Sequence, residues 1–217
     1  MPYRFIPFTD DGFYHIYNRG VEKRQIFINE RDFQRFLHTL YFYQYNNPKV
    51  PFSRKEALQY QGLDFTNSPK FVDIICYCLM PNHFHLVLKQ TANGDIHKFM
   101  QKVLNSYTKY FNTKHKRVGP LLQGTFKAVS IEDDTQLIHV SRYIHLNPYV
   151  SNLVKDLDNY PQSSYSDYID KTQGKICNKK PVLSLFKNPA DYQEFVSGNA
   201  DYAKELEIMK HLLMEEE

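Results

Sequence analysis

The chain has 217 residues, 42% of them hydrophobic and 24% charged, the proportions of a globular protein with one full core or one core plus a small appendage. No run approaches the roughly 18 apolar residues of a membrane span, and the opening "MPYRFIPFTDDGFYHIYNRG" lacks the basic-then-apolar layout of a signal peptide. Cys76, Cys78 and Cys177 make an odd count that argues against a disulfide framework and for a reducing, cytoplasmic setting.

In chain order, "FYHIYNRG" predicts a first strand over 13–20. "NERDFQRFLHTLYFYQYN" predicts an amphipathic helix over 29–46, with Asn29 as N-cap and Phe33, Phe36, Leu37 and Leu40 on one face. Residues 46–70, with Pro48, Pro51 and Pro69, read as a connecting excursion. Strands are expected over 71–80 and 83–89, joined at Pro81-Asn82 into a short antiparallel hairpin. A second helix over 95–115 carries the stripe Ile96, Phe99, Met100, Val103, Leu104, Tyr107 and Phe111. A strand over 125–131 follows the loop "VGPLLQG". A third helix over 133–148 is capped by Asp133 or Asp134 and ended by Pro148. The order β-α-β-β-α-β-α implies an α+β fold, an antiparallel sheet with helices on one face. Beyond about residue 170 the chain turns polar and then resumes with short helical patterns in an acidic tail, expected as an appendage over 171–217.

Charge is unevenly spread beneath a net +3. From Ile96 to Ile131 there is no Asp or Glu, while Lys98, Lys102, Lys109, Lys114, Lys116, Arg117 and Lys127 are positive; the end of the chain, from Asp191, is acidic. The basic middle suits a polyanionic partner through its phosphates, and it equally suits a solvated helix face. The acidic tail could fold back over the basic surface, or be a solvated terminal helix.

The sharpest feature is "CLMPNHFHLVLKQ". On a strand His83 and His85 share a face, with Phe84, Leu86 and Leu88 on the other. Paired imidazoles are half of a metal site or of an acid–base site, or two ordinary surface histidines. Cys78, opposite His85 if the turn is tight, leaves a Cys/His zinc site open. On the third helix Tyr143 and Asn147 stand at i and i+4, about 6 Å apart along the same face, a phenol nucleophile beside an oxygen ligand. Tyr143 is also one of 17 tyrosines, and Asn147 before Pro148 has the alternative of closing the helix by a bond to backbone. Arg19 reads as a phosphate contact or an ordinary loop charge.

Taken together and in order, "YCLMPNHFHLVL", "GPLLQGTFKA", "RYIHLNPYVSNLV" and "YPQSSYSDY" resemble the REP-associated tyrosine transposases among the single-tyrosine HUH transposases, from about residue 13 to Tyr168. The resemblance implies a ferredoxin-like antiparallel sheet and a metal-dependent DNA strand-cleaving activity on single-stranded or hairpin DNA. It implies His83 and His85 as ligands of Mg²⁺ or Mn²⁺, Asn147 as a third ligand and Tyr143 as the nucleophile of a 5′-phosphotyrosine intermediate. DNA contacts are expected from Arg19, Lys109, Lys114, Lys116, Arg117, Lys127 and Arg142, and a homodimer is possible, with the site built within one chain or across two. The chain departs from the common pattern at Thr125, where relatives carry Arg, and at Gln162-Ser163, where they carry Trp-Ser. Competing readings are a nucleic-acid-binding protein that kept the fold without the chemistry, and a zinc hydrolase using only the histidines, which would need further carboxylate ligands.

Overall fold

A computed structural model of the chain describes residues 7–45, 52, 69–92 and 94–198. Most of the expected excursion over 46–70 and the acidic end from 199 lie outside those residues. The strands are β1 (Phe13–Arg19), β2 (Val72–Met80), β3 (His83–Gln90) and β4 (Lys127–Ile131), and they form one antiparallel sheet in the order β2-β3-β1-β4. The main helices are α1 (Glu30–Tyr43), α2 (Ile96–Lys114) and α3 (Asp134–Val150). Short helices α4 (Tyr165–Tyr168), α5 (Lys180–Leu183) and α6 (Pro189–Ser197) follow.

Strand alternation divides the molecule into two cores. Tyr14 and Ile16 of β1 and Phe84, Leu86 and Leu88 of β3 point to one face. There they meet Phe36 and Leu40 of α1 and Phe99, Val103, Tyr107 and Phe111 of α2. Cys76, Cys78, Met80 and Val87 point to the other, where α3 contributes Leu137, Ile144 and Leu146. A bulge between Ile74 and Cys76 turns both Ile75 and Cys76 towards this second core, fitting β2 to the helices lying on it. Thus α1 and α2 share one face, as expected, and α3 closes the other. The segment after residue 171 enters that second core through Val182, Tyr192 and Val196.

Two expected helix ends are built differently. Asn29 occupies the N-cap of α1, but its side-chain oxygen accepts from Lys114 Nζ (2.8 Å), and the reach back to the free backbone is made by Asp32, whose Oδ2 accepts from Ile28 N–H at 3.0 Å. Asp133 does cap α3, accepting from Gln136 N–H at 2.7 Å. Pro148, expected to end α3, lies inside its last turn. There the missing N–H forfeits a single ladder bond, and Ser151 N–H still reaches the Asn147 carbonyl at 2.9 Å.

What seats α3 on the sheet is a buried polar chain centred on His145, which is fully buried. Its Nδ1 meets Tyr192 Oη at 2.7 Å and its Nε2 meets Ser164 Oγ at 2.8 Å. Tyr192 donates to Ser141 Oγ (3.2 Å), so it accepts from His145 Nδ1–H, and Ser164 Oγ also accepts Tyr77 N–H of β2 at 2.9 Å. Every member is satisfied with His145 neutral, and burial holds its pKa down to about 3. Between that value and the ordinary 6.5 the unfolded chain binds a proton that the folded chain refuses. This contribution to stability is therefore complete above about pH 6.5 and is lost as the pH falls towards 3, at up to about 1.4 kcal/mol per pH unit. His145→Gln should lower stability at pH 7 and flatten its decline between pH 6.5 and 4, as read from urea unfolding curves across that range.

Candidate active site

β3 begins at His83 directly after the Pro81-Asn82 turn, so the two imidazoles stand at the turn end of the hairpin, paired to β2 through Met80 and Cys78. On the neighbouring strand the register sets Tyr17 opposite His85 and Arg19 opposite His83. On the far side of β1, Lys127 lies opposite Tyr17 with its ammonium 5.9 Å from that ring. These residues line the sheet face on which α3 packs. From α3, Tyr143 stands over the pair within the same chain: its ring centroid is 5.6 Å from that of His85 and nearly perpendicular to it. Tyr143 is 39% exposed, whereas His85 is buried at 7%.

The imidazoles are held neutral. Burial, with Arg19 nearby, brings the His83 pKa down to about 4, and burial with two histidine neighbours takes His85 well below its ordinary value. Asn82 fixes one tautomer: its Nδ2 donates to the Lys23 carbonyl (3.2 Å), which turns its Oδ1 to His83 Nδ1 at 2.6 Å. A carbonyl oxygen can only accept, so Nδ1 carries the proton and Nε2 keeps its lone pair. Asn147 is buried, and its Nδ2 donates to the Tyr143 carbonyl at 2.8 Å, the local helix bond that its place before Pro148 allows. That leaves its oxygen to face His83.

The sequence did not single out His15. Its Nε2 lies 2.9 Å from His85 Nδ1, and its ring contacts those of Tyr17 and His85, with both centroid separations 5.1 Å and those two rings 5.9 Å apart. The "FYHIY" alternation puts His15 and Tyr17 on one face, but only the pairing of β1 with β3 brings that face to the His83/His85 pair.

Of the expected nucleic-acid contacts, the structure gathers Arg19 and Lys127 at this face; Arg19 Nε donates to Gln123 Oε1 at 2.7 Å. Arg142 turns outward, its guanidinium 4.4 Å over the Phe195 ring and 2.8 Å from His139 Nδ1. Lys109 lines a cleft of about 870 Å³ between α2 and the 120–126 segment. Lys114, Lys116 and Arg117 lie at the end of α2, which packs against the opposite sheet face. Lys114 is bound to fully buried Asp32 at 2.7 Å and to Asn29, and Arg117 to Asn112 at 2.8 Å.

Cys78 does pair with His85 across the hairpin, but burial pushes its thiol far up, and it donates to Met80 Sδ at 3.7 Å. In the metal-free chain Cys78 is thus a buried thiol packed in the second core. Among the described residues no three His, Cys, Asp or Glu side chains cluster as a metal site, so a cation here would draw on the Asn147 amide as well as the imidazoles.

The site thus sets a paired-histidine strand of the sheet under a helix that carries a tyrosine. The family model described as IS200-like transposase matches residues 59–147 of the chain. No curated protein matches. Among solved structures the chain is similar to a REP-associated tyrosine transposase bound to a REP hairpin, at 13% identity and a TM-score of 0.57 over 81% of this chain and 90% of that one. That likeness is one of fold. Slighter ones are to a proposed transposase of Deinococcus radiodurans (12% identity, TM-score 0.36, 66% of this chain and 94% of that one), and to the tRNA(His) guanylyltransferase of Saccharomyces cerevisiae (11%, 0.37, 88% and 79%). No helix among the described residues is long and apolar enough to cross a membrane.

Lys114 is the place where a charge count and the geometry diverge. Because it neutralises a buried carboxylate, Lys114→Ala should cost about 1–2 kcal/mol of stability in urea unfolding. Lys116→Ala should leave stability unchanged within about 0.5 kcal/mol.

Proposed function

We propose that the chain is a metal-dependent single-strand DNA transesterase, in which Tyr143 attacks a phosphodiester and forms a 5′-phosphotyrosine intermediate on hairpin-containing DNA. The observation that carries this reading is the half-exposed Tyr143 phenol standing over the buried, neutral His85 of its own chain. A nucleophile that must meet a polymer has to be open to solvent, whereas groups that hold a cation work best desolvated and unprotonated.

The donor set, two neutral imidazoles and one amide oxygen, suits a divalent ion that accepts mixed nitrogen and oxygen ligands. His83 has an unprotonated nitrogen, and Asn147 turns a lone-pair oxygen towards the same ring. Two neutral acceptors facing one another are relieved by a cation between them. His83, His85 and Asn147 would hold Mg²⁺ or Mn²⁺, neutral ligands leaving positions for phosphate and water. When bound, such an ion neutralises phosphate charge and aligns the scissile group. Tyr143 Oη would form the bond to phosphorus as the bond to the 3′-oxygen breaks. The phenolic proton goes to solvent at the open mouth of the site, and the leaving oxygen takes up a proton to become the 3′-hydroxyl. The ester energy is conserved in the tyrosyl phosphate, so rejoining by a 3′-hydroxyl needs no nucleotide. Arg19 and Lys127, flanking the pair, are suited to the neighbouring phosphates. The hairpin preference draws on the DNA held by the similar transposase structure.

Removing only the phenolic oxygen tests the assignment. Tyr143→Phe should bind a single-stranded hairpin within about twofold of wild type yet give no cleavage and no SDS-resistant adduct with Mg²⁺ or Mn²⁺. His83→Ala combined with His85→Ala should also abolish cleavage, and Asn147→Ala should reduce it less, because water can take an empty ligand position. Tyr17→Phe, which removes the phenol that packs beside His85, should still form the adduct. An adduct from Tyr143→Phe would move the nucleophile to another tyrosine. A wild-type protein that binds the hairpin and never forms one would favour a binding protein without the chemistry.

A further inference from the structure

We propose that His15 is a positioning residue for this site: its Nε2 accepts the hydrogen bond of His85 Nδ1–H and so aims the His85 Nε2 lone pair into the space before Tyr143. The inference rests on the reading of His83 and His85 as a cation-holding pair. It begins from the 2.9 Å separation of His15 Nε2 and His85 Nδ1. Between two neutral imidazoles one nitrogen must donate and the other accept, so this contact selects a tautomer for each ring. If His85 accepted at Nδ1, its proton would sit on Nε2 and block the atom that could bind a cation. If it donates, Nε2 is left open.

The partner histidine decides between them. His83 is pinned at the equivalent atom by Asn82, whose oxygen can only accept, which leaves Nε2 unprotonated. The same arrangement at His85 gives two imidazoles with proton-bearing Nδ1 atoms tied to the scaffold and open Nε2 atoms. A ligand histidine that donates its second N–H to a fixed acceptor is the usual way a protein sets ring orientation and basicity. His15 is well placed for the task. It is on β1, the strand that pairs with β3 along its whole length, and its ring packs against both Tyr17 and His85 at centroid separations of 5.1 Å, in a three-ring cluster. Its rotamer is thereby confined, and it is further from Tyr143, at 6.1 Å between ring centroids, than His85 is at 5.6 Å.

The test uses the full chain and reads the tautomer first. In ¹⁵N–¹H spectra of the metal-free wild-type protein, with resonances assigned by single histidine substitutions, His85 should show a protonated Nδ1 and an unprotonated Nε2. Finding the proton on Nε2 overturns the proposal without any variant. His15→Phe keeps the ring stack and removes the acceptor. It should fold as wild type by circular dichroism, shift His85 towards the Nε2–H tautomer, and weaken Mn²⁺ binding by about 10- to 100-fold in calorimetry. His15→Gln can place an amide oxygen near the lost Nε2 and should restore Mn²⁺ affinity to within about threefold. A folded His15→Phe with unchanged tautomer and Mn²⁺ affinity, or a folded His15→Gln as defective as His15→Phe, would overturn the assignment. If wild type takes up no Mn²⁺ at all, the metal reading of the pair fails, while the tautomer measurement still decides what His15 does.

Discussion

The site depends on how firmly α3 is held to the sheet, and the buried hydrogen-bond chain through His145 is what holds it. Tyr143 precedes that histidine by two residues and Asn147 follows it by two, so the residues meant for the site and the residue that anchors the helix share one turn and a half. Ser164 ties His145 to the backbone of β2, and Tyr192 ties it to α6. An apolar residue in its place would pack but would leave Ser164 and Tyr192 without a shared partner, and a helix bound only by greasy contact can slide. A satisfied polar chain has one geometry, which is what a phenol poised over two imidazoles needs.

That anchoring explains why the sheet carries different chemistry on its two faces. The α1 and α2 side is closed by aromatic packing, with Phe36, Phe84, Phe99 and Tyr107 fully buried. The α3 side is apolar at one end, where β2 meets the C-terminal helices, and polar at the other, where β1 and β3 present His15, Tyr17, His83 and His85. The division follows from strand alternation: no residue of β1 or β3 can serve both the aromatic core and the site. The basic residues respect it as well. Arg19 and Lys127 are on strands and face the histidines, whereas Lys109 and Lys114 are on a helix of the other side.

The elements were readable from the sequence because their signals are local. The helical stripe of α2, the alternation of β2 and β3 and the i, i+4 spacing of Tyr143 and Asn147 all lie within a few turns of chain, and each stands where its period implies. The features that escaped depend on distant partners. His15 is 70 residues from His85, and nothing in "FYHIY" states that β1 will lie beside β3 rather than at an edge. Lys114 looks like one more cation in an acid-free stretch until Asp32, from the opposite end of the helix pair, is brought to it. Asn29 fits the rule for an N-cap, and loses that bond to Lys114 for the same reason. Pro148 escaped differently: a helix-ending signal is statistical, and in a last turn the lost bond is too small to stop the helix.

Burial is graded across His85, His83 and Tyr143. His85 is almost closed off, so its charged form is penalised and its lone pair is available well below neutral pH. His83, at the mouth of the hairpin, is less enclosed, and the nearby Arg19 adds to the penalty on its protonation. Tyr143 is the most open of the three. A buried tyrosine has its phenolate penalised further, as burial does to Tyr168 and Tyr192 in the second core. Exposure therefore keeps the Tyr143 phenol reachable, while the enclosure beneath it keeps the imidazoles unprotonated. One helix laid across one sheet face satisfies both demands, because its outer edge leaves Tyr143 at the rim as its inner edge covers His85.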